Sequence, residues 1–480
     1  MTTSRQLEIP FTDGRSGSGP ATWGQRAIWD VVNRLAPADR PRFNIGTAAP
    51  LDPGLPLPAV LDALGHLLHL HDSLHTRLLP EPDGTDSPAD PDSPADPDGR
   101  AGAGLRQQVD PSGRLTVHVR DCAADTARGE LDAVGDALHE ELAGRPFDCT
   151  AEWPIRVGLV VADGLVRHVS LVLSHTAVDG SGMGLLVRDL SELAVGADPK
   201  DLRAARSPQQ PLEEAAFQTS ERGLKRDANA RAHTLRKLRS APPRLFPANG
   251  AGERAAGTGS TERFPNAVLS SPALLRAVDA VAAAHRTGSS TVLLAAAAAM
   301  TARLAHRSDA VLQVVVNNRF LSGLTDAVSV VAGDALLHLP DADGEFGELV
   351  RRTHAASIAA YRHAYYDRRL LDAEVERLTA ERVPLADRSC VFNDTRELIP
   401  SGLAARPAPT GGGDGRTTLD WPVDFDPRPG LTYALDALRT PAALQLAMTA
   451  DPAVLPRPSM ERFLYGIEEL VLTEERAARA

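Results

Sequence analysis

Residues 155 to 193 change their hydrophobic period once, and that change constrains the fold more tightly than any bulk property of the chain. Ile155 to Val161 and Leu165 to Leu173 are β-rich apolar runs joined by Asp163-Gly164, a dipeptide suited to a tight hairpin turn. After Gly182 the apolar positions Met183, Leu186, Val187, Leu190 and Leu193 fall at helical spacing, with Arg188, Asp189 and Glu192 on the opposite face. The segment therefore reads as a strand hairpin, a short polar loop and an amphipathic helix. The loop itself reads LSHTAVDGSG, which puts His175 at a strand end, Asp179 four residues on and Gly180 directly behind. Glycine tolerates the backbone angles and close approaches that such a turn requires. Reactive side chains are often held on loops positioned by rigid elements in this way.

At 480 residues the chain exceeds the usual size of a single core, so two lobes of roughly 200 residues each are expected. A formal charge of −12 and the lack of any Lys/Arg stripe interleaved with aromatics argue against nucleic acid as a partner. Arginine supplies nearly all the positive charge, the lysines being Lys200, Lys225 and Lys237. The cysteines, Cys122, Cys149 and Cys390, are odd in number and widely spaced, which suits neither a disulfide framework nor a zinc cluster and points to a reducing cytoplasm. The N-terminal MTTSRQLEIPFTDGRSG has no apolar core of the signal-peptide kind, and TVLLAAAAAM at 291–300 is shorter than the roughly 20 residues of a membrane span, so neither secretion nor insertion is expected.

The stretch 81–100 repeats DSPADP without a large apolar residue and is expected to be a disordered acidic loop. GLAARPAPTGGGDGR at 402–416 reads as a second mobile loop. The polar, basic stretch from Ser207 to Arg244 reads as a separator, giving lobes of residues 1–206 and 207–480. Beyond it, helices are expected near Pro272 to Arg286 and Ser290 to His306, then a strand from Ala310 to Asn317. Both halves mix helices with strands, the pattern of two α/β lobes.

A histidine near its unperturbed pKa of about 6.5 is suited to proton transfer, and acyl transfer needs a group that accepts or orients the nucleophile's proton. Asp179 is either the partner that orients such a base or a member of a structural ion pair; the plain alternative is a strand-end histidine beside a turn-forming Asp-Gly. HDSLH at 71–75 carries two histidines at i, i+4, but Asp72 stands where the zinc-protease motif has its glutamate and no third ligand follows, so a helix flank is the better reading. Cys149 has no adjacent base and reads as a buried thiol. Arg222, Lys225, Arg226, Arg231, Arg236, Lys237 and Arg239 form a basic run, either a solvated face or a docking patch for an acidic partner.

Taken together, these motifs resemble the condensation domains of nonribosomal peptide synthetases, within the chloramphenicol acetyltransferase-like superfamily whose shared motif is HHxxxDG. SHTAVDG matches with Ser174 in the first histidine's place and His175 in the second, catalytic one. ATWGQRAIW (Gln25, Trp29) looks like the opening xxQxxxW motif, and RFNIG with HDSLHTRL looks like the YNI and LRT block, His75 taking the arginine's place. RPFDCTAEWPIRVGLV, VVVNNRF, VVAGDALLHLP and VFND continue the match in order, and Arg319 falls where the family arginine pairs with the motif aspartate. Ser181 and Gly182 replace the usual Trp-Ser after the motif, and the asparagine expected after Gly333 is missing.

The resemblance implies two chloramphenicol acetyltransferase-like α/β lobes in a V-shaped pseudo-dimer with His175 midway along a central channel, near which His75, Gln25 and Trp29 are expected. It implies a stand-alone acyltransferase, with no bound cofactor or metal, that joins an acyl thioester on a phosphopantetheine arm to an amine or hydroxyl acceptor, free or carrier-bound. Asp179 and Arg319 would shape the motif loop, and Gly180 would permit the turn and offer its amide to the oxyanion. The partner implied is an acyl or peptidyl carrier protein, with Arg236, Lys237 and Arg239 as candidate docking residues on a monomer. Two alternatives remain: an enzyme using free acyl-CoA, although the DFGWG motif of the plant-type branch is replaced by LDWPVDFDP, and a non-catalytic relative that recruits partners, for which Ser174 is the hint.

Overall fold

A computed structural model describes residues 2–81, 104–246, 262–396, 415–428 and 430–479. The acidic repeat from residue 82 onward and the Gly/Pro-rich stretch through residue 414 lie outside the described residues.

The motif hairpin forms the centre of a five-stranded sheet. Its order is Thr3–Phe11, Gly113–Cys122, Ile155–Ala162, Leu165–Ser174, Asn44–Pro56. Ala162 pairs with Leu165, leaving Asp163 and Gly164 as a two-residue turn with φ of 53° and 71°. Positive φ at both central residues is what a type I′ turn demands, and Asp-Gly supplies it cheaply. Every residue of Ile155–Ala162 is buried, because helices cover both faces of the sheet. Leu138 and Leu142 of the helix Arg128–Ala143 pack on Val172 from one side. From the other, helices Leu57–Leu70 and Gly180–Ala194 close over Val157, Leu159, Leu171 and Leu173. A two-sided cover explains the continuous apolar run where a half-exposed strand would alternate.

The second half builds a seven-stranded sheet in the order Gly333–Leu339, Ala310–Val316, Cys390–Asp394, Tyr433–Arg439, Leu444–Ala450, Phe264–Ser271, Thr418–Phe425. Helices Pro272–Ala284, Ser289–Ala305 and Arg457–Arg479 pack against one another beside it. The alanine run Ala295–Ala299 is wholly buried there, small side chains letting neighbouring elements approach closely. Among the described residues no single helix is long and apolar enough to cross a membrane.

The stretch after Ser207 is helical and packed rather than solvated. It folds into helices Pro211–Thr219 and Glu221–Ser240, which bury Glu214, Gln218, Asp227, Leu235 and Leu238. The first packs on the strand Gly17–Pro20 of one half and the second on Gly333–Leu339 of the other. Its buried polar side chains disguise it in the sequence, because they are satisfied by hydrogen bonds to distant residues rather than by water.

The halves are also joined through the helix Trp23–Arg34. Its Arg26 and Asp30 reach Asp367 at 2.9 Å and Arg369 at 2.6 Å, and Trp23 packs with Leu324, Ala327, Val331 and Tyr365. Gly24 makes this possible, since a Cβ there would stand 1.9 Å from the Val330 carbonyl oxygen. Gly24→Ala should therefore lose about 1 to 3 kcal/mol through overpacking, read as a lowered urea midpoint. Gly65→Ala, whose Cβ meets nothing closer than Ile9 Cγ2 at 3.6 Å, should be neutral or stabilising by about 0.5 to 1 kcal/mol.

Candidate active site

His175 follows the last residue of the strand Leu165–Ser174, and the pairing of Asn44 with Ser174 brings Phe43 beside it, the rings 6.4 Å apart and 27° from parallel. Its Nδ1 lies 2.9 Å from the Val178 carbonyl oxygen. A carbonyl only accepts, so Nδ1 carries the proton and Nε2 the lone pair. The side chain is half-buried, and burial pushes its pKa below the usual value against the opposing pull of the Val178 carbonyl and the Asp179 charge. The imidazole is therefore neutral at neutral pH, with a basic nitrogen held by a backbone contact.

Asp179 does not orient that base. It caps the helix Gly180–Ala194, accepting the Gly182 amide at 2.8 Å. Its Oδ2 also accepts the amides of Val331 at 3.0 Å and Ala332 at 2.9 Å. Arg319 completes the set, Nη2 to Oδ1 at 2.8 Å and Nη1 to Oδ2 at 3.0 Å. The guanidinium then donates from Nη2 to the carbonyls of Ala327 at 2.8 Å and Ser329 at 3.2 Å. Both side chains are buried. Gly182 leaves room for this pair, since a Cβ there would stand 2.6 Å from Val178 Cγ2 and 3.1 Å from Arg319 Nη2. Gly180 is the first residue of the helix, where an amide has no intrahelical acceptor.

Ser174 is buried and bonded to Thr176 Oγ1 at 2.8 Å and Cys149 Sγ at 3.3 Å. Burial raises the Cys149 pKa, which keeps it a thiol. Trp29 packs on the cluster of Ala21, Leu78, Leu105 and Cys149, behind Ser174. Gln25 and His75 do not face an open path. Gln25 is buried in the capping box of its helix, accepting the Thr22 amide at 2.8 Å. His75 is fully buried between Phe11 and Trp153, with Nδ1 2.7 Å from the Asp110 carbonyl oxygen. His71, on the far side of the same turn, bonds Asp189 at 2.9 Å, so the two histidines look toward different partners. Arg236 and Arg239 are exposed and Lys237 half-buried at the C-terminal end of the helix Glu221–Ser240, where cations oppose the negative helix end.

A buried polar cluster behind the motif loop escaped the sequence reading. Glu214 accepts the Tyr365 hydroxyl at 3.0 Å, the Gln218 amide at 3.0 Å and the Ser329 hydroxyl at 3.3 Å. Gln218 in turn accepts the Trp23 amide at 2.8 Å. Ser329 ties this cluster to the ion pair, its carbonyl accepting both Arg319 and, at 3.3 Å, the Asp179 amide. Burial raises the Glu214 pKa from 4.5 to about 7, the Asp179 charge adding to it. The one sequence signal was the presence of Glu214 and Gln218 four residues apart in a stretch read as solvated.

The family model described as Condensation domain matches residues 100–404. The chain belongs to this family. Phosphinothricin tripeptide synthetase PhsC of Streptomyces viridochromogenes is a relative at 27% identity over 401 residues, 81% of this chain. The chain spans about a third of the length of that synthetase, 34%. The fold is also that of the condensation domain of the enacyloxin polyketide synthase that mediates chain release, with TM-score 0.70 at 17% identity over 97% of this chain and 83% of the other. The condensation domain of the monacolin K synthase MokA matches with TM-score 0.66 at 17% identity, over 96% of this chain and 98% of the other. These matches make the architecture the two-lobed chloramphenicol acetyltransferase-like α/β fold. In this condensation domain, the motif histidine and the motif aspartate are thus tied to separate partners.

Two outcomes follow from the geometry. Asp179→Ala and Arg319→Ala each leave a buried charge uncompensated and should each cost about 3 to 5 kcal/mol. In a double-mutant cycle by urea unfolding, the pair should show a coupling of about 0.5 to 3 kcal/mol rather than additive losses. Glu214 has a folded pKa above its unfolded one, so the folded state binds the extra proton between pH 4.5 and about 7. Its contribution is fully present below pH 4.5 and lost as pH rises through 7, about 3 kcal/mol in all. Glu214→Gln, which keeps an acceptor for Tyr365, should flatten the fall in stability measured between pH 5 and 8.

Proposed function

We propose that the chain is an acyltransferase, joining an acyl thioester carried on the phosphopantetheine arm of an acyl or peptidyl carrier protein to an amine or hydroxyl acceptor. The observation that carries this reading is the bond from His175 Nδ1 to the Val178 carbonyl, which leaves Nε2 as a basic nitrogen at a strand end. Membership of the condensation family supports an acyltransferase, and the kinship with a tripeptide synthetase supports a carrier-tethered donor.

In the proposed step the acceptor nitrogen or oxygen attacks the thioester carbonyl carbon while His175 Nε2 takes or orients the proton it sheds. The tetrahedral oxyanion lies toward the first amide of the helix Gly180–Ala194, whose N-terminus favours negative charge. Collapse breaks the carbon–sulfur bond, the thiolate leaves, and the proton on Nε2 neutralises it. Amide or ester and free thiol are the products, so no redox partner or metal is needed for the balance. Asp179 and Arg319 keep the loop rigid without touching the reacting atoms. The lobes, residues 1–206 and 207–480, flank the channel that admits donor and acceptor from opposite sides, and the enzyme works as a cytoplasmic monomer.

The test is product formation from acyl-loaded carrier protein and from acyl-CoA, with a panel of amines and alcohols, followed by mass spectrometry. His175→Ala should keep the wild-type melting temperature and lose activity by about 10²-fold or more. Unchanged turnover in that variant would remove His175 from the chemistry. Equal rates with acyl-CoA and acyl-carrier would favour the free-CoA alternative, and carrier binding without turnover would favour the recruiting one. Because the His175 pKa is lowered, activity should hold as pH falls to 6.5 and decline only below it.

A further inference from the structure

The turn after Asn318 points consecutive side chains in opposite directions. Arg319 goes inward to Asp179, whereas Phe320 is 56% exposed. Phe320 borders an open cleft of about 500 Å³, lined also by Arg222, Arg226, Asn229, Arg362 and His363. The cleft continues into a narrower recess of about 140 Å³, closed by Phe217, Leu324 and Tyr365, with Arg222 and Arg226 at the junction. No carboxylate lines either part. Among the described residues, none of the three guanidiniums has an ion-pair partner.

Gathering cations in this way costs stability. Arg222 and Arg226 are an i, i+4 like-charge pair on the helix Glu221–Ser240, and Arg362 faces them from the other wall. His363 stacks on His233 with ring centroids 4.0 Å apart and an angle of 2°. Burial first, then His363, Lys237 and Arg236, push the His233 pKa down to about 4. Arg231 shows the contrast on the same helix, since it is neutralised by Asp227 and Glu374. In a chain of net charge −12, the arginines of the cleft are left for an outside anion.

Planar guanidinium forks bind carboxylate and phosphate in a bidentate manner, and three of them match two or more negative charges on one compact group. An apolar floor beside them suits an organic substituent. We propose that this cleft binds a phosphate-bearing small molecule, its dianionic head held by Arg222, Arg226 and Arg362 and its organic part lying against Phe320 and the recess. The site lies across the turn from the Asp179 pair, and the inference is independent of the role given to His175.

The test is isothermal titration of the full chain at low salt with inorganic pyrophosphate and with phenyl phosphate. Both should bind saturably at one site, and an Arg226→Gln, Arg362→Gln double variant should weaken each by about 100-fold, tenfold per lost charge-assisted contact. Arg239→Gln, on the same helix outside the cleft, should change affinity less than threefold. Phe320→Ala should weaken phenyl phosphate and leave pyrophosphate alone. By proton NMR, saturating pyrophosphate should move the His233 titration midpoint upward from about 4, because a bound dianion favours imidazolium. The arginine variants, relieved of like-charge repulsion, should melt no lower than wild type, so lost binding is not lost folding. Non-saturating binding, equal affinity in the double variant, or binding of an acidic polypeptide that pyrophosphate does not displace would overturn the proposal.

Discussion

The carboxylate of Asp179 is the point on which the rest of the site rests. It accepts the Gly182 amide of its own helix, the amides of Val331 and Ala332 from the other half, and two contacts from Arg319. A buried carboxylate is tolerable only when its charge is matched and its lone pairs are filled, and this one meets both conditions with groups that lie far apart in the chain. One side chain therefore starts the motif helix, anchors the 327–332 turn and joins the two halves. Gly24 and Gly333 extend the same logic to the backbone. Added Cβ atoms at these positions would stand 1.9 Å from the Val330 carbonyl oxygen and 2.1 Å from the Ala364 carbonyl oxygen.

Holding the loop is thereby separated from holding the base. A carboxylate on imidazole Nδ1 would stabilise the imidazolium and raise its pKa, whereas the Val178 carbonyl orients the ring as a neutral partner. With burial acting in the same direction as neutrality, His175 stays unprotonated at neutral pH. Proton acceptance by a nitrogen in this state suits the deprotonation or positioning of an attacking amine or hydroxyl. Ser174, in the place of the first motif histidine, is absorbed into a small network with Thr176 and Cys149 and acts on the strand end rather than on solvent.

Polar residues carry much of the contact between the halves. Glu214, Gln218, Tyr365, Ser329 and the Trp23 amide form one connected network. In a low-dielectric setting such a network is rigid when every member is satisfied and costly when one is not. That dependence couples the charge state of Glu214 to the packing behind the motif loop. It also places a rigid wall between the Asp179 pair and the arginine-lined cleft outside, whose cations have no such internal partners.

The sequence by itself determined the local elements and the motif. The hairpin through Asp163-Gly164, the helix after Gly182, the helices near Pro272 and Ser290 and the strand at Ala310 are all legible from hydrophobic period and turn residues, which are local properties. The match of Arg319 to a family position put its pairing with Asp179 within reach of sequence, because collinear motifs carry long-range information that a single loop does not. The tertiary structure alone decided which polar residues are interior. Ser207 to Arg244 reads as a solvated separator, yet it folds into helices that clasp both halves, and Gln25 and His75 turn out to be packed and hydrogen-bonded. Whether Glu214 meets water or Tyr365 depends on residues 151 positions away. Local composition cannot encode a contact at that distance, and burial, charge state and the choice between ring orientation and loop anchoring are all set by such contacts.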